Sequence, residues 1–397
     1  MKVAILMLYE GIGGAEIRTL KVLRFFPKEN YILIMPKNKK LTLIRNIKKY
    51  LDDKESLDIV QTAYELEDFY IKHHINYVNS AYYFAYGRYI GKISKKLNVD
   101  LLYSIDHYNP GLWLGIRSSR IKWSMLFQTV PAIGPLIIED GYGFSLFLKN
   151  EKLNNLGLLR TIRGYTRLNL LSLAAHGVQL LSVSKSIPYE MKKVGINLNF
   201  KVVDPGIGVE KCNYLNQERV YDLVFYTKIT PEKGVFDFLK IVKGVTNYNK
   251  QIKALVAGAA SSEMAKKVIK YAEDLRIAKN VEFKFNMKRN YFLNLLASSK
   301  LFIYPSRLDA FPLVVLESLS CGTPVLAYGI PAIRFNYSDA KAVIKVKPLD
   351  IRGMIDHAIK IIDGSEKVVN DGIKFSEKYT WENVAKAEWK LIESIAS

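Results

Sequence analysis

Two carboxylates, Asp309 and Glu317, stand eight positions apart in the stretch "SRLDAFPLVVLESLSCGTPVLA". An apolar run with one proline separates them. Upstream, "VFYTKITPEKGVFDFLK" carries Lys228 and Lys233, five positions apart, in a strand-to-helix turn that ends in glycine. Two lysines so placed could both reach one diphosphate as point charges. "LFIYPS" reads as a strand, "RLDAF" as a loop and "PLVVLESLSCG" as a helix, with Pro312 in its first turn and Gly322 at its stop. The first-turn amides of such a helix, near Leu313 and Val314, have no intrahelical partner and suit a phosphate. Asp309 precedes this helix. Glu317 lies about one and a half turns inside it. Either Glu317 faces solvent on an amphipathic helix, or it accepts hydrogen bonds from vicinal hydroxyls such as those of a ribose.

The elements around these residues alternate. Apolar, β-branched-rich runs at 2–8, 31–35, 101–104, 123–127 and 178–183 are separated by helical patterns. A second set begins at Asp222 and continues near Ala254, from Val281, and near Phe302 and Val325. Several runs are continuous rather than alternating, as strands buried on both faces of a parallel sheet must be. The segment 202–222, with Pro-Gly and a polar stretch, breaks the rhythm and reads as an interdomain connection. The expected fold is α/β, with two doubly wound Rossmann-like domains facing across a cleft, where ligands bind beyond the carboxyl ends of the strands.

The length of 397 residues and the 49% hydrophobic content allow two domains, each with its own core. A formal charge of +20 implies an anionic partner, whether nucleic acid, acidic membrane or phosphorylated ligand, unless it serves solubility alone. The two cysteines, Cys212 and Cys321, lie far apart and in no metal-ligand spacing. On that count a disulfide framework is excluded, a reducing compartment is expected, and Cys321 is a small packed residue. The five histidines are scattered, and no metal site is expected. The opening "MKVAILMLYEG" lacks a signal-peptide cleavage site and reads as a buried strand. No apolar run of about 18 residues is present, so a soluble or membrane-peripheral protein is expected.

Taken together, these stretches resemble the retaining glycosyltransferases of family 4, also called group 1 glycosyltransferases, which have the GT-B fold. "TKITPEKGVFDFLK" resembles one donor-side loop of that family. "PSRLDAFPLVVLESLSCGTPVLA" resembles its motif of two glutamates flanking seven residues. "VVDPGIGVE" resembles its interdomain segment, "GGAE" its N-terminal glycine loop, and "KYTWENVAKAEWKLI" the C-terminal helix that crosses back to the first domain. The resemblance implies an acceptor-binding domain at 1–206, joined by the helix at 380–397, and a donor-binding domain at 207–379. It implies that Lys228 and Lys233 neutralise the departing diphosphate and that Glu317 holds the ribose. Asp309 and the backbone at Ala310 and Phe311 then contact the transferred sugar, while Leu313 and Val314 add the helix N-terminus. Gly13 and Gly14 close on the donor phosphates. His107 meets the acceptor or the sugar, with Glu16 and Asp106 as acceptor-side contacts. No protein nucleophile is implied, so substitution is front-face. The donor is a UDP- or GDP-linked hexose, no cofactor is needed, and the acceptor is a lipid-linked or other glycan. No two aspartates lie two residues apart, which fits a metal-independent site. The chain departs from the family at Asp309, where glutamate is usual, at Lys228, where arginine is usual, and at Pro312, where glycine is frequent.

Residues 36–51 carry Leu43, Ile44, Ile47 and Leu51 on one helical face, surrounded by five basic side chains. That pattern suits either a helix lying on anionic lipid or a surface helix packing inward. Residues 131–167 are apolar and aromatic with three arginines, and read as a lid, a membrane contact or a partner surface. The expected location is cytoplasmic, peripheral to the inner face of the membrane. No nucleic-acid module appears. The competing readings are a nucleic-acid-binding protein, a nucleotide-sugar epimerase, and a donor-binding protein without catalysis.

Overall fold

Strands such as "VAIL" and "ALVAG" have no polar alternation, so they are stable only where both sheet faces are covered. The computed structural model places them there. It describes residues 1–8, 14–51, 53–67, 80–105, 109–129, 166–193, 195–213, 218–287, 289–369 and 371–397. The described chain divides into two compact units, one ending at Gly208 and completed by Trp381–Ser397, the other running over Val209–Thr380.

The first unit holds β1 (Val3–Leu6), β2 (Tyr31–Pro36), β3 (Tyr64–Leu66), β4 (Leu101–Ile105), β5 (Trp123–Phe127), β6 (Leu180–Ser182) and β7 (Phe200–Val202). They form one parallel sheet in the order β3-β2-β1-β4-β5-β6-β7. Every residue of β1, β4 and β5 is buried. The edge strands β3 and β7 have three residues each and are partly exposed, so neither stands out as an apolar run.

The second unit holds β8 (Tyr221–Tyr226), β9 (Ala254–Gly258), β10 (Val281–Phe285), β11 (Ser299–Tyr304), β12 (Val325–Tyr328) and β13 (Val343–Val346). Their order is β10-β9-β8-β11-β12-β13, again parallel. β10, with the sequence "VEFKF", carries its charges on an edge. In each sheet the chain winds outward in both directions from two adjacent strands, β1 and β4 in the first and β8 and β11 in the second. Their carboxyl ends form the switch-point crevice where doubly wound sheets bind ligands.

The C-terminal helix Trp381–Ala396 belongs to the first unit and is held there by a buried ion pair. Arg18, 2% exposed, donates from Nη2 to Glu388 Oε2 at 2.6 Å and from Nε to the Gly206 carbonyl at 2.6 Å. Tyr103, on β4, donates to the other Glu388 oxygen at 2.9 Å. One guanidinium therefore ties the first helix, Gly14–Leu23, the end of the interdomain segment and the last helix together.

The structure corrects the cysteine reading. Cys212 and Cys321 are joined by a disulfide, with their Cα atoms 5.1 Å apart. A sequence separation of 109 hides this. Pairing depends on where the segment after Gly208 lies, and here it lies against the end of the Leu313–Ser320 helix. The cysteine count therefore no longer supports a reducing compartment.

The basic helix Lys37–Asn46 and the π turn Ile47–Leu51 turn their stripe inward, with Leu43 and Ile47 fully buried. Lys40 is buried too, donating to the Ala63 carbonyl at 2.9 Å and pairing with Glu65. The inward-packing alternative holds for these residues, while Lys37, Arg45, Lys48 and Lys49 stay exposed. Residues 131–165 lie outside the described chain. Among the described residues, no helix is long and apolar enough to cross a membrane.

Two stability outcomes follow from these contacts. Arg18→Met should cost about 3–5 kcal/mol in urea unfolding, because it strands a buried carboxylate, and adding Glu388→Met should restore most of that loss. Reduction with dithiothreitol should cost about 2–4 kcal/mol, whereas Cys212→Ser should unfold identically with and without reductant.

Candidate active site

The site is built where β8 and β11 end side by side. After β8 the chain passes Thr227 and Lys228, makes a single 3-10 turn at Pro231–Lys233 and enters the helix Val235–Tyr248 through Gly234. Gly234 has φ +84°, and a Cβ there would stand 2.0 Å from the Pro305 carbonyl oxygen. Only glycine lets this turn lie directly on the end of β11. The backbone locks the approach, since Arg307 N–H donates to the Glu232 carbonyl at 2.9 Å.

That closeness brings Lys233 to Asp309. The ammonium donates to Asp309 Oδ2 at 2.6 Å and to the Leu308 carbonyl at 3.0 Å. The hydroxyl of Tyr304, the last residue of β11, donates to the same Oδ2, and Ala310 N–H donates to Oδ1 at 2.8 Å. Burial, and next the charge of Asp309, hold the Tyr304 phenol well above its ordinary range, so it remains a protonated donor. Asp309 thus has three donors before any ligand arrives. The two lysines therefore differ: Lys233 is fixed and matched, while Lys228 is exposed and outside any ion pair among the described residues.

Arg307 and Asp237 brace the loop from behind. Arg307 donates through Nη2 at 2.8 and 3.0 Å and through Nε at 3.2 Å to Asp237, whose side chain is 3% exposed. Asn336 donates to the Ala310 carbonyl at 3.0 Å and Tyr337 to the Pro312 carbonyl at 2.8 Å. Phe311 packs edge-on against Tyr337 and Tyr379. The backbone at Ala310, expected to be open to a sugar, is therefore largely engaged within the protein.

Pro312 is the N-cap rather than a first-turn residue of the helix Leu313–Ser320, and Leu313 and Val314 are half-buried at its start. Glu317 is 1% exposed, which rules out the solvent-facing alternative. A ligand hydroxyl reaches it only by parting what covers it. At the far end Gly322, φ +69°, closes a Schellman motif: its N–H bonds Leu319 O at 3.0 Å and Thr323 N–H bonds Ser318 O at 2.9 Å. Arg219 then donates to Thr323 Oγ1 and to the Ser299 carbonyl, each at 2.6 Å. With the Cys321 disulfide, this end of the helix is firmly anchored.

In the first unit, Gly14 opens the helix Gly14–Leu23 in open space, and Glu16 is half-buried in its first turn. Gly13, Asp106 and His107 lie outside the described residues. The sheet order does place the ends of β1 and β4, from which those loops depart, side by side. Among the described residues, no three His, Cys, Asp or Glu side chains converge as a metal site.

The sequence reading missed Tyr304, Arg307 and Asp237. Tyr304 looked like one more apolar strand residue. Its signal was a hydroxyl-tipped ring at the strand end, five positions before the acid. Tyr304→Phe should lower stability by about 1.5–3 kcal/mol, the range for a hydrogen bond to a charged group, in denaturant unfolding with far-ultraviolet circular dichroism otherwise unchanged.

Residues 211–373 match the family described as glycosyl transferases, group 1. Among curated proteins, the chain is 25% identical over 226 residues to N-acetyl-alpha-D-glucosaminyl L-malate synthase of Bacillus anthracis, covering 53% of this chain and 58% of that protein. It is 26% identical over 203 residues to D-inositol 3-phosphate glycosyltransferase of Frankia alni, covering 49% and 50%. The matched stretch thus spans between 50% and 58% of the length of these relatives. Among solved structures, sucrose-phosphate synthase of Thermosynechococcus elongatus superposes with a TM-score of 0.71 at 13% identity, covering 99% of this chain and 98% of that one. HepE of Anabaena, solved in complex with UDP, gives 0.70 at 12% identity, covering 99% and 100%. Residues 211–373 thus match the group 1 glycosyl transferases, and the whole chain is built on the two-domain GT-B fold.

Proposed function

We propose that this chain is a retaining hexosyltransferase that moves a hexose from a UDP- or GDP-linked donor to a hydroxyl of a lipid-linked glycan, without a metal. In this reading the second unit takes the donor and the first takes the acceptor. The observation that carries it is the Lys233 ammonium, held 2.6 Å from Asp309 at the paired ends of β8 and β11. A cation fixed there meets the charge that grows on a diphosphate as its bond to the sugar breaks. Lys228 supplies a second, exposed charge, and the start of the Leu313–Ser320 helix adds its dipole. Glu317 takes the ribose hydroxyls, and Asp309, with the backbone at Ala310 and Phe311, takes the sugar.

In the transfer, the acceptor oxygen bonds the anomeric carbon on the face the phosphate leaves. The electron pair of the broken bond goes to the diphosphate, and a phosphate oxygen takes the acceptor proton. The products are a glycoside and a nucleoside diphosphate. Gly13 and Gly14 close on the donor phosphates, and Glu16, Asp106 and His107 stand on the acceptor side. The group 1 match and the UDP complex of HepE support the donor class. The names of the two curated relatives favour a second reading of the acceptor, a small anion such as a hydroxy acid or an inositol phosphate, which the +20 charge also suits.

The test is transfer from UDP-, GDP- and dTDP-sugars to lipid-linked glycans and to small anionic alcohols, with and without chelator. Lys233→Met and Glu317→Gln should each lower kcat/KM by about 100-fold or more, with wild-type transfer unchanged by chelator and the anomeric configuration kept. Failure across the whole panel, or full activity in both variants, would overturn the assignment.

A further inference from the structure

The amino ends of β5, β6 and β7 lie at the edge of the first sheet opposite to its ligand crevice. There, with the last turn of the Trp381–Ala396 helix, they line a cavity of about 600 Å³. Arg117, Arg120, Lys122 and Lys201 stand around it, all exposed, above a wall that includes the buried Trp123 and Ile121. No aspartate or glutamate lines it.

The partners of these cations are neutral. Arg117 donates to the carbonyls of Ala174 and His176 at 2.9 and 3.0 Å. Lys122 donates to the Ala396 carbonyl at 3.1 Å and Lys201 to Ser394 Oγ at 3.4 Å. None of the four is in an ion pair among the described residues. Three helix carboxyl ends, those of Pro110–Ser118, 166–174 and Trp381–Ala396, each equivalent to about half a negative charge, offset four full cations only in part. Carbonyl and hydroxyl contacts thus aim Arg117, Lys122 and Lys201 without cancelling their charge, and the concavity concentrates the field of all four.

We infer that this cavity is a binding site for a phosphorylated small molecule, separate from the site at β8 and β11. Arginine forks and lysine ammoniums are the usual phosphate partners, and the volume is that of a small-ligand site. The apolar wall suits a non-phosphate portion. A ligand there would bridge β5, β7 and the final helix, and so stabilise the first unit by mass action. The phosphoryl group has two possible sources, a free metabolite or the headgroup of an anionic lipid.

The test titrates the full chain with inorganic pyrophosphate in saturating UDP, by calorimetry, and sediments it with phosphatidylglycerol vesicles. Arg120→Gln/Lys201→Gln removes two exposed charges, and Arg120→Lys/Lys201→Arg keeps both. Pyrophosphate binding that UDP does not displace, weakened at least about ten-fold in the first variant and kept in the second, supports the site with a free ligand. Vesicle binding with the same variant pattern, and no pyrophosphate binding, supports it with a lipid headgroup. Equal behaviour of all three proteins in both assays overturns it. UDP affinity is measured alongside, so a failure of the donor assignment is read separately.

Discussion

One carboxylate oxygen, Oδ2 of Asp309, receives both the Tyr304 hydroxyl and the Lys233 ammonium. Its donors come from two strands and their loops, 76 residues apart in the case of Lys233. The contact exists only because β8 and β11 lie side by side and parallel, and because Gly234 lets one loop rest on the other. The acid and the base read separately in the sequence are one unit. Fixing a cation in this way is preorganisation: the charge is oriented before any ligand arrives.

The rest of the second unit keeps that node still. Arg307 and Asp237 hold the loop from one side, and Asn336 and Tyr337 hold it from the other. The Leu313–Ser320 helix is pinned at its far end by the Schellman motif, Arg219 and the Cys212–Cys321 disulfide. A helix fixed at its carboxyl end presents its amino end in a defined place. The disulfide also binds that helix to the start of the second unit, so a cysteine that looked like packing is a cross-link.

Charge is distributed with similar economy. The helix Lys37–Asn46 looked free to lie on lipid, yet Leu43 and Ile47 are spent on the core and Lys40 is buried against the Ala63 carbonyl. Its basic surplus is an exposed rim without an apolar face. A total charge does not say where an anion would bind, because the location depends on which cations the fold leaves unpaired.

The sequence by itself indicated two parallel sheets, the positions of the long strands along the chain, the loops that carry Lys228, Lys233 and Asp309, and the helix that carries Glu317. Those features are local: a continuous apolar run, a glycine at a turn and a helix stop act within a few residues. The three-residue strands β3 and β7 and the four-residue β13 were not legible, because a short edge strand is held by its neighbour rather than by its own burial. Tertiary structure alone decided that Glu317 is buried, that Tyr304 is a donor to Asp309, that Arg307 braces the loop, and that Cys212 meets Cys321. Each of these is a contact between segments distant in the chain or a matter of which helix face turns inward, and both depend on how the layers pack.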